Sequence, residues 1–305
     1  MSLATRFKPV GLTGFGADST TEQVTEGLSL KGKHILVTGC TSGLGKETCR
    51  ILSMRGAHIY GTARTQDGAD RACAGFPNKA TGFACDLSDP TSVRNCTAKI
   101  KAAGYRFNAI VCNAGIMATP TLQRAHGYEL QFFTNHIGHF MLVTDLLDHI
   151  AEEGRVVVVT SSYHRLAPRV GIRFDNLTGE RGYNPWVAYG QSKMANILFA
   201  NELQRRFSGS NKTAYSVHPG IIPTNLARST GSVAQSFLDM LAPLFLKTIP
   251  QGAATQVFAA VHPAAKSLAG RYLADCNTVT LGRRADNPEL ARKLWKVSEQ
   301  IVQEL

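Results

Sequence analysis

Residues 34–45 read HILVTGCTSGLG, an apolar stretch that runs directly into three glycines. The β-branched residues of HILVT (34–38) predict a short strand that is buried in the core. The residues after Gly45 have the apolar spacing of a helix up to Arg55, and Gly56 is placed to end that helix. This part of the sequence therefore predicts a strand, a glycine turn and a helix, in that order.

The three glycines of the turn have the spacing GxxxGxG. We expect Gly39 to allow the tight turn, Gly43 to let the backbone approach a pyrophosphate, and Gly45 to let the helix pack closely on the strand. The helix N-terminus would offer amide donors and the positive end of its dipole to the phosphates. Glycines at such spacings also occur in plain turns, but their position between a strand and a helix favours a nucleotide site.

The alternation of strand and helix continues along the chain. Further strands are predicted at 58–63, 82–86, 108–115, 155–160, 213–218 and 271–275, and further helices from Ser88 to about Ala103, at 127–150 and at 185–207. Buried strands that alternate with helices predict an α/β fold, a doubly wound parallel sheet of about seven strands with helices on both faces. This is a Rossmann fold, and we expect an N-terminal arm at 1–30 followed by a single domain at 31–305.

The composition is that of a folded protein. Of the 305 residues, 44% are hydrophobic and 18% are charged, and no apolar run is long enough to span a bilayer. The net charge is +11, but the basic residues are scattered rather than gathered in a dense tract. Nucleic-acid binding is therefore not expected.

The cysteines and the N-terminus bear on the compartment. The seven cysteines include no CxxC pair, which argues against a disulfide framework and predicts a reducing compartment; we expect the cytoplasm. The first residues lack the apolar block of a secretory signal. They contain no acid before Asp18, which leaves an organelle transit peptide as the less favoured alternative.

Two predicted strand ends carry side chains that suit the adenosine half of a nucleotide. Arg64 follows the second strand, where a basic residue pairs with the 2′-phosphate of NADP and an acidic one holds the ribose of NAD. NADP(H) is therefore favoured over NAD(H), the alternative being a solvated arginine. Asp86, beside Leu87, ends the third strand and is placed to bind the adenine amino group or to form a turn.

The sequence NAG (113–115) ends the fourth strand. Asn113 can cap the strand end, and the small residues Ala114 and Gly115 would let a ribose lie against the backbone. Alone, this tripeptide is a common turn.

Tyr189 and Lys193, in AYGQSKMAN (188–196), share one face of a predicted helix. Tyrosine has an ordinary pKa near ~10, and a nearby ammonium group favours the phenolate, so Lys193 is placed to lower the pKa of Tyr189. By itself such a pair is a common surface contact. Ser161 follows the strand VVVVT and supplies a hydroxyl for a carbonyl oxygen, so the three side chains together predict acid–base chemistry.

With these motifs in order, the chain resembles the short-chain dehydrogenase/reductase family over about residues 30–285. NHIGHF (135–140), VVVVTSSYHR (156–165), YGQSK and SVHPG are similar to one branch of that family. The branch holds the retinol dehydrogenases, the WW-domain oxidoreductase and the dehydrogenase associated with the chloroplast import translocon. GFGADSTTEQVTEGLSLKGK and QGAATQVFAAVHP are similar to the last of these.

The resemblance implies a role for each matching residue. Tyr189 would donate a proton to the carbonyl or accept it in oxidation, and Lys193 would bind the nicotinamide ribose. Ser161 would polarise the carbonyl, and Asn135 would anchor a water of the proton relay. The implied cofactor contacts are Gly39, Ser42, Gly43, Leu44 and Gly45 at the phosphates, Asn113, Ala114 and Gly115 at the adenosine side, and Pro219, Ile222 and Thr224 at the nicotinamide carboxamide.

Two departures from the family pattern concern the serine. Thr160 stands where a second serine is frequent, and Ser161 precedes Tyr189 by 28 positions because an insertion lies between them. Ser162 is therefore the alternative to Ser161.

These features predict an NADP-dependent oxidoreductase that transfers a hydride between nicotinamide and a hydrophobic aldehyde, ketone or secondary alcohol. The apolar residues 232–249 lie in a predicted substrate-covering segment at about 221–250, with contact to a membrane surface or a partner subunit as alternatives. An NADP(H)-sensing or scaffold protein with little turnover is the alternative function. Ser42 in the glycine turn speaks against an epimerase or dehydratase.

The resemblance also implies a homodimer or homotetramer, paired through the helices at 127–150 and 185–207. His136 and His139 are interpreted as structural residues, because no acid or cysteine is placed to complete a metal site with them.

Overall fold

The computed structural model describes residues 10–222 and 247–305. Its strands are β1 (His34–Thr38), β2 (His58–Ala63), β3 (Ala80–Ala84), β4 (Phe107–Cys112), β5 (Arg124–Ala125), β6 (Tyr128–Glu129), β7 (Ile150–Val159), β8 (Thr213–His218), β9 (Tyr272–Ala274) and β10 (Asn277–Thr278). Eight of these form one sheet in the order β10-β9-β8-β7-β4-β1-β2-β3, and β5 pairs separately with β6. The predicted doubly wound parallel sheet is confirmed.

The sheet has one strand more than the seven predicted. β10 pairs antiparallel with β9 at the edge, whereas the other neighbours in the sheet run parallel. The chain reverses through Asp275 and Cys276, which both adopt positive φ angles of 52° and 60°. A two-residue strand after so tight a reversal leaves no alternating pattern in the sequence, and for that reason it was not predicted.

Helices cover both faces of the sheet. They are α1 (Thr21–Val24), α2 (Gly43–Met54), α3 (Gln66–Ala74), α4 (Pro90–Ala102), α5 (Leu130–Phe132), α6 (Gly138–Asp145), α7 (Pro185–Arg206), α8 (Ile249–Val261) and α9 (Pro288–Gln303). Successive residues of β1 point to opposite faces: Leu36 packs in the core beneath α4, α6, α7 and α9, and Ile35 and Val37 pack beneath α2, α3 and α8. Burying each such side chain contributes about 1.5–3 kcal/mol.

The starts of the long helices follow from their sequences. Asp89 precedes Pro90 and accepts a hydrogen bond from Thr91 N at 2.9 Å, so it caps α4 as its position predicts. Asn184 caps α7 in the same way, and Asn287 caps α9.

The long helix predicted at 127–150 is wrong as a single element. The chain there forms β6, α5, a π-helical turn at Phe133–Ile137, α6 and a 3₁₀ turn at Leu147–His149, and β7 already begins at Ile150. The π turn is closed by the bond from Gly138 N to Phe133 O, which spans five residues. This turn carries Asn135.

Residues 10–30 lie against α2 and α8. Thr21 and Val24 of α1 are buried, and Glu22 forms an ion pair with Arg50 of α2. Phe15 packs edge-on against Phe258 of α8, with ring centroids 5.8 Å apart.

Within the described ranges, no helix is both long enough and apolar enough to cross a membrane.

Candidate active site

The carboxyl ends of β1 and β4 are tied together by one hydroxyl group. Thr38 Oγ1 accepts hydrogen bonds from Asn113 N at 2.9 Å and from Ala114 N at 3.0 Å. The side chain of Asn113 also bonds to the same residue, because its Nδ2 donates to Thr38 O at 2.9 Å. The predicted NAG turn is therefore held directly beside the predicted glycine turn.

The glycine turn has the conformation that its sequence requires. Gly39 has a φ of 73° and Gly43 a φ of 54°, values that favour glycine. A Cβ atom at Gly45 would lie 2.1 Å from Gly39 O, so only glycine allows this close approach of α2 to the strand end. Ser42 is the N-cap of α2, and within the described chain it makes no side-chain hydrogen bond to the first turn. Ser42 therefore leaves the amides of that turn without a side-chain cap.

Asn135 holds the loop after β4 against α7. Its Oδ1 accepts from Ile116 N at 2.8 Å and its Nδ2 donates to Ile116 O at 2.9 Å. The same Nδ2 lies 2.9 Å from the hydroxyl of Ser192, the residue before Lys193. A Cβ at Gly115 would lie 3.0 Å from Asn135 Oδ1 and 3.5 Å from Lys193 Nζ, so this glycine keeps the space between them open.

Ser161, Tyr189 and Lys193 are brought together below the end of β7. Their exposed fractions are 8%, 7% and 4%. The Ser161 hydroxyl lies close enough to the Tyr189 hydroxyl to favour the phenolate. Lys193 Nζ lies 5.7 Å from the centroid of the Tyr189 ring and donates to Val159 O at 3.1 Å. The structure therefore assembles the three side chains that the sequence had singled out.

The pKa values of the pair differ from the sequence-based expectation. Burial raises the pKa of Tyr189 to about 12, and the nearby Ser161 hydroxyl only partly offsets this. Burial also lowers the pKa of Lys193 to about 8. The expected lowering of the tyrosine pKa by the lysine is not seen, because desolvation dominates and the ammonium group is directed at Val159 O.

One cavity joins these groups. It is lined by Leu44, Asn113, Gly115, Ile116, Met117, Val159, Thr160, Ser161, Ser162, Tyr163, Tyr189, Lys193, His218, Pro219, Gly220, Ile221 and Ile222. Side chains from the ends of β1, β4, β7 and β8 thus meet at one edge of the sheet, which is where an open α/β sheet binds its ligands. Pro219 and Ile222 lie in this lining, and Thr224 lies outside the described residues.

The described chain on either side of 223–246 meets at the mouth of the cavity. Lys247 N donates to Ile221 O at 2.9 Å, and Lys247 Nζ forms an ion pair with Asp275 at 2.6 Å. Lys247 is only 7% exposed, so this junction is well anchored.

Several predicted cofactor residues are not part of the cavity lining: Gly39, Ser42, Gly43, Gly45 and Ala114 of the two turns described above, and Arg64, Asp86 and Leu87. Arg64 is exposed at the end of β2, and the nearby Asp67 is paired with Arg71 of α3. Asp86 Oδ1 accepts from Ser88 N at 2.9 Å and from the Ser88 hydroxyl at 2.7 Å, which closes a turn after β3. Leu87 is buried against Gly138, where a Cβ would lie 2.3 Å from Leu87 O.

Three supporting residues were missed in the sequence. Thr38 was interpreted only as a strand residue. His139 Nε2 lies 2.9 Å from the Thr38 hydroxyl, and its Nδ1 lies 2.9 Å from Asn135 O. Gln256 of α8 donates to Asn113 Oδ1 at 3.2 Å and to Thr48 at 2.6 Å. The only sign of these contacts in the sequence is that Asn135 and His139 are four residues apart, a spacing that places them on one face of a helix.

His136 contacts the hydroxyl of Ser298 through Nε2 at 2.8 Å. Across residues 10–222 and 247–305, no group of three or more His, Cys, Asp or Glu side chains could hold a metal ion.

Comparison with known proteins gives a consistent result. Residues 33–234 match the family model described as short chain dehydrogenase. Short-chain dehydrogenase TIC 32 A, chloroplastic, of Brassica napus is 39% identical over 97% of this chain and 96% of that protein. Retinol dehydrogenase 11 of Homo sapiens is 36% identical over 90% of this chain and 87% of that protein.

Solved structures share the fold. The crystal structure of an uncharacterized protein from Mycobacterium Paratuberculosis has a TM-score of 0.75 and 31% identity, covering 92% of this chain and 97% of that one. A short chain dehydrogenase from Burkholderia cenocepacia J2315, in complex with NADP, has a TM-score of 0.65 and 24% identity, covering 81% of this chain and 97% of that one.

Proposed function

Because the chain belongs to the short-chain dehydrogenase family, an oxidoreductase family that uses a nicotinamide cofactor on alcohols and carbonyls, we propose that it is an NADP-dependent reductase or dehydrogenase of hydrophobic substrates. The main support for this proposal is that Ser161, Tyr189 and Lys193 are buried together in the wall of a cavity that extends to Leu44 of the glycine turn. The substrate is an aldehyde, a ketone or a secondary alcohol.

The residues present fit a dinucleotide. The uncapped first turn of α2 directs amides at a pyrophosphate, and Ser42, Gly43 and Leu44 are the residues of that turn that would contact it. Asn113, Ala114 and Gly115 would line a ribose, and Pro219, Ile222 and Thr224 would meet the carboxamide. The nicotinamide ring, when bound, supplies the hydride chemistry.

The chain itself handles the proton. With a pKa of about 12, the Tyr189 phenol is protonated at neutral pH and is ready to donate its proton to a carbonyl oxygen. The Ser161 hydroxyl, which lies beside Tyr189, would donate to the same oxygen and stabilise its developing charge. With a pKa of about 8, Lys193 is mostly charged at pH 7 and would stabilise the phenolate that remains. Asn135 would support a water of the proton relay.

Arg64 supports the preference for NADP. Its guanidinium is exposed at the end of β2, and the nearest acid in sequence, Asp67, is neutralised by Arg71. A 2′-phosphate would therefore meet the exposed Arg64 guanidinium rather than a carboxylate. Asp86 is proposed to bind the adenine through the carboxylate oxygen that Ser88 does not use, with Leu87 beside it.

The apolar cavity wall supports a hydrophobic substrate. Met117, Tyr163 and Ile221 line it, and the Tyr163 ring stacks on Trp186 with centroids 5.2 Å apart. Tyr163 and Trp186 remain 37% and 41% exposed, which leaves apolar area for an alkyl or aryl group to cover.

The test is calorimetry of NADPH and NADH binding, followed by turnover of a panel of aldehydes and ketones. Wild type should bind NADPH more tightly than NADH, and Arg64→Ala should remove the preference. Arg94→Ala, which deletes an equal charge on α4, is the matched control and should keep it. Tyr189→Phe should bind NADPH normally and lose at least 10²-fold in kcat, about the value of a general acid.

The outcomes separate the alternatives. If neither nucleotide binds, the proposal fails. If NADPH binds and every carbonyl is left unreduced, the protein is better described as an NADP(H)-sensing or scaffold protein.

Pairing with a second copy remains part of the proposal, as a homodimer or homotetramer. In the structure α9 packs on α6 and α7, where Trp295 contacts Phe140 at 4.9 Å and Phe199 at 5.8 Å between centroids. A pair formed through those two helices would have to accommodate α9. Light scattering of wild type would give the oligomeric state.

The compartment is also a proposal. All seven cysteines are free thiols, which suits the cytoplasm, whereas two relatives carry the word chloroplastic in their names. Imaging the full chain with a C-terminal fluorescent fusion would distinguish the cytoplasm from an organelle.

A further inference from the structure

Two glycines let α3 pack very closely on the sheet. Gly61 of β2 and Gly82 of β3 are paired in register. A Cβ at Gly82 would lie 2.8 Å from the backbone of Asp70, and a Cβ at Gly61 would lie 2.8 Å from Cys40 Sγ and 2.9 Å from Cys73 Sγ. The glycine in the middle of β2 is therefore explained by two sulfur atoms that fill the space above it.

The same distances place the two thiols side by side. Because both sulfurs lie so close to one point above Gly61, their separation cannot exceed the sum of those two distances. The two thiols are close enough to shift each other's pKa, raising that of Cys40 and lowering that of Cys73. A disulfide needs a separation of about 2.05 Å, which a rotation of the side chains and a small shift of α3 could supply.

The environment singles out Cys73 as the more reactive of the two. The neighbouring Cys40 thiol and the backbone of Gly61 lower the pKa of the Cys73 thiol, against the effect of burial. Cys73 is 6% exposed and Cys40 is fully buried. A reagent would thus meet Cys73 first, at the thiol whose lowered pKa favours the thiolate, with Cys40 in position behind it.

We propose that Cys40 and Cys73 form an oxidation site, which closes to a disulfide in the presence of a hydroperoxide and thereby weakens dinucleotide binding. The Cys73 thiolate attacks the peroxide, the O–O bond breaks, and a sulfenic acid forms while hydroxide leaves and takes up a proton. Cys40 Sγ then attacks Cys73 Sγ, the S–O bond breaks and water is released. With hydrogen peroxide, two thiols and one peroxide yield one disulfide and two waters, and a dithiol reductant reverses the change.

The effect on the nucleotide follows from the position of Cys40. It is the residue after Gly39, and both Gly39 N and Cys40 N donate to Thr62 O at 3.0 Å. A disulfide would pull Cys40 toward α3 and disturb the turn that leads to the amides of α2. This half of the inference rests on the proposed function, whereas disulfide formation does not.

The other buried cysteines serve as a comparison for Cys40 and Cys73. Cys85 and Cys96 also lie close together, but the neighbouring Cys96 thiol and burial raise the pKa of the Cys85 thiol well above its usual range. Cys49 lies near Cys40 and Cys73 and is fully buried, and burial raises the pKa of its thiol as well. Neither Cys49 nor the second pair should react under mild oxidation.

The experiment treats the full chain with a small excess of hydrogen peroxide, blocks the remaining thiols and maps the peptides by mass spectrometry. A Cys40–Cys73 crosslink, lost with dithiothreitol, is expected in wild type and in Cys49→Ser, and not in Cys73→Ser. NADPH affinity by calorimetry should fall at least tenfold on oxidation of wild type and stay unchanged in Cys73→Ser.

Absence of the crosslink in wild type, or a crosslink between Cys85 and Cys96 instead, overturns the proposal without depending on any variant. A Cys40–Cys73 crosslink that leaves NADPH affinity unchanged also overturns it. If the reduced protein does not bind NADPH at all, the proposed function fails, and peptide mapping still decides whether the thiol pair closes.

Discussion

The hydroxyl of Thr38 lies 2.9 Å from Nε2 of His139, a contact between the end of β1 and α6 across 101 positions of the chain. Because His139 Nδ1 faces the carbonyl of Asn135, Nδ1 carries the proton and Nε2 accepts from Thr38. Burial lowers the pKa of His139 to about 4, so the imidazole is neutral at pH 7. The Thr38 oxygen is thereby turned toward the amides of Asn113 and Ala114.

Replacing Thr38 should test this arrangement. Thr38→Val keeps the shape of the side chain but leaves Ala114 N without its acceptor, at a cost of about 1–3 kcal/mol, whereas Asn113 N keeps Val111 O at 3.0 Å. We expect a loss of about 1–3 kcal/mol in the free energy of unfolding, measured by urea denaturation. Thr38→Ser keeps the hydroxyl and should retain most of the stability. Equal losses in the two variants would show that the methyl group, not the hydroxyl, matters.

Lys193 should impose a pH dependence on stability. Its folded-state pKa of about 8 lies below the ordinary 10.5, so between these values the unfolded chain binds more protons and stability rises with pH. Below about pH 8 the buried charge costs roughly 3 kcal/mol. Lys193→Met should therefore raise stability at pH 7 and remove the rise between about pH 8 and 10. Val159 O keeps a donor in that variant, Asn196 Nδ2 at 3.2 Å.

Calorimetric melting of wild type and variant from pH 7 to 10 measures the difference. Lys266→Met is the control, since Lys266 is exposed in a surface ion pair with Glu153 and should leave the pH profile unchanged. Parallel profiles for wild type and Lys193→Met would refute the burial of a charged lysine.

The two adjacent serines can be told apart by activity. Ser161→Ala removes the hydroxyl that lies beside Tyr189, and we expect kcat to fall by about 10²-fold, the usual cost of losing one donor to a developing oxyanion. Ser162→Ala should leave kcat near the wild-type value, although Ser162 also lines the cavity. The reverse ranking would assign the catalytic hydroxyl to Ser162.

Gly45 should tolerate no side chain. In Gly45→Ala the new Cβ would lie 2.1 Å from Gly39 O and force the turn apart. We expect the free energy of unfolding to fall by about 1–3 kcal/mol and NADPH binding to be lost. Gly282→Ala is the matched control, because among the described residues no atom lies within 4 Å of a Cβ placed there. Thermal melting and calorimetry check both, and an unchanged Gly45→Ala would contradict the close packing of α2.

The sequence was sufficient for the sheet because apolar runs such as residues 34–38 and 156–160 determine which segments are buried. It was insufficient for the π turn at Phe133–Ile137, since one extra residue in a helical turn changes hydrogen bonds without breaking the apolar pattern. The turn nevertheless decides where Asn135 points, and so the link to Ile116 became apparent only in the structure.

The sequence predicted some features of the site and not others. Tyr189 and Lys193 share a helix face, which spacing alone predicts. How far each is desolvated depends on neighbours from other elements, so the direction of the Tyr189 pKa was not predictable. The contact of Thr38 with His139 joins residues that are distant in sequence, and no local pattern reports it.

The hydrogen bond from Lys247 N to Ile221 O brings together the residues that precede and follow 223–246. The length of chain inserted at such a point is limited mainly by loop closure, where a doubling costs only about 0.6 kcal/mol. Segments of other lengths and sequences could therefore be grafted between Ile222 and Lys247 while the sheet and the tyrosine stay in place. Because we expect this segment to cover the substrate, exchanging it should change the specificity while Tyr189 and Lys193 stay in place.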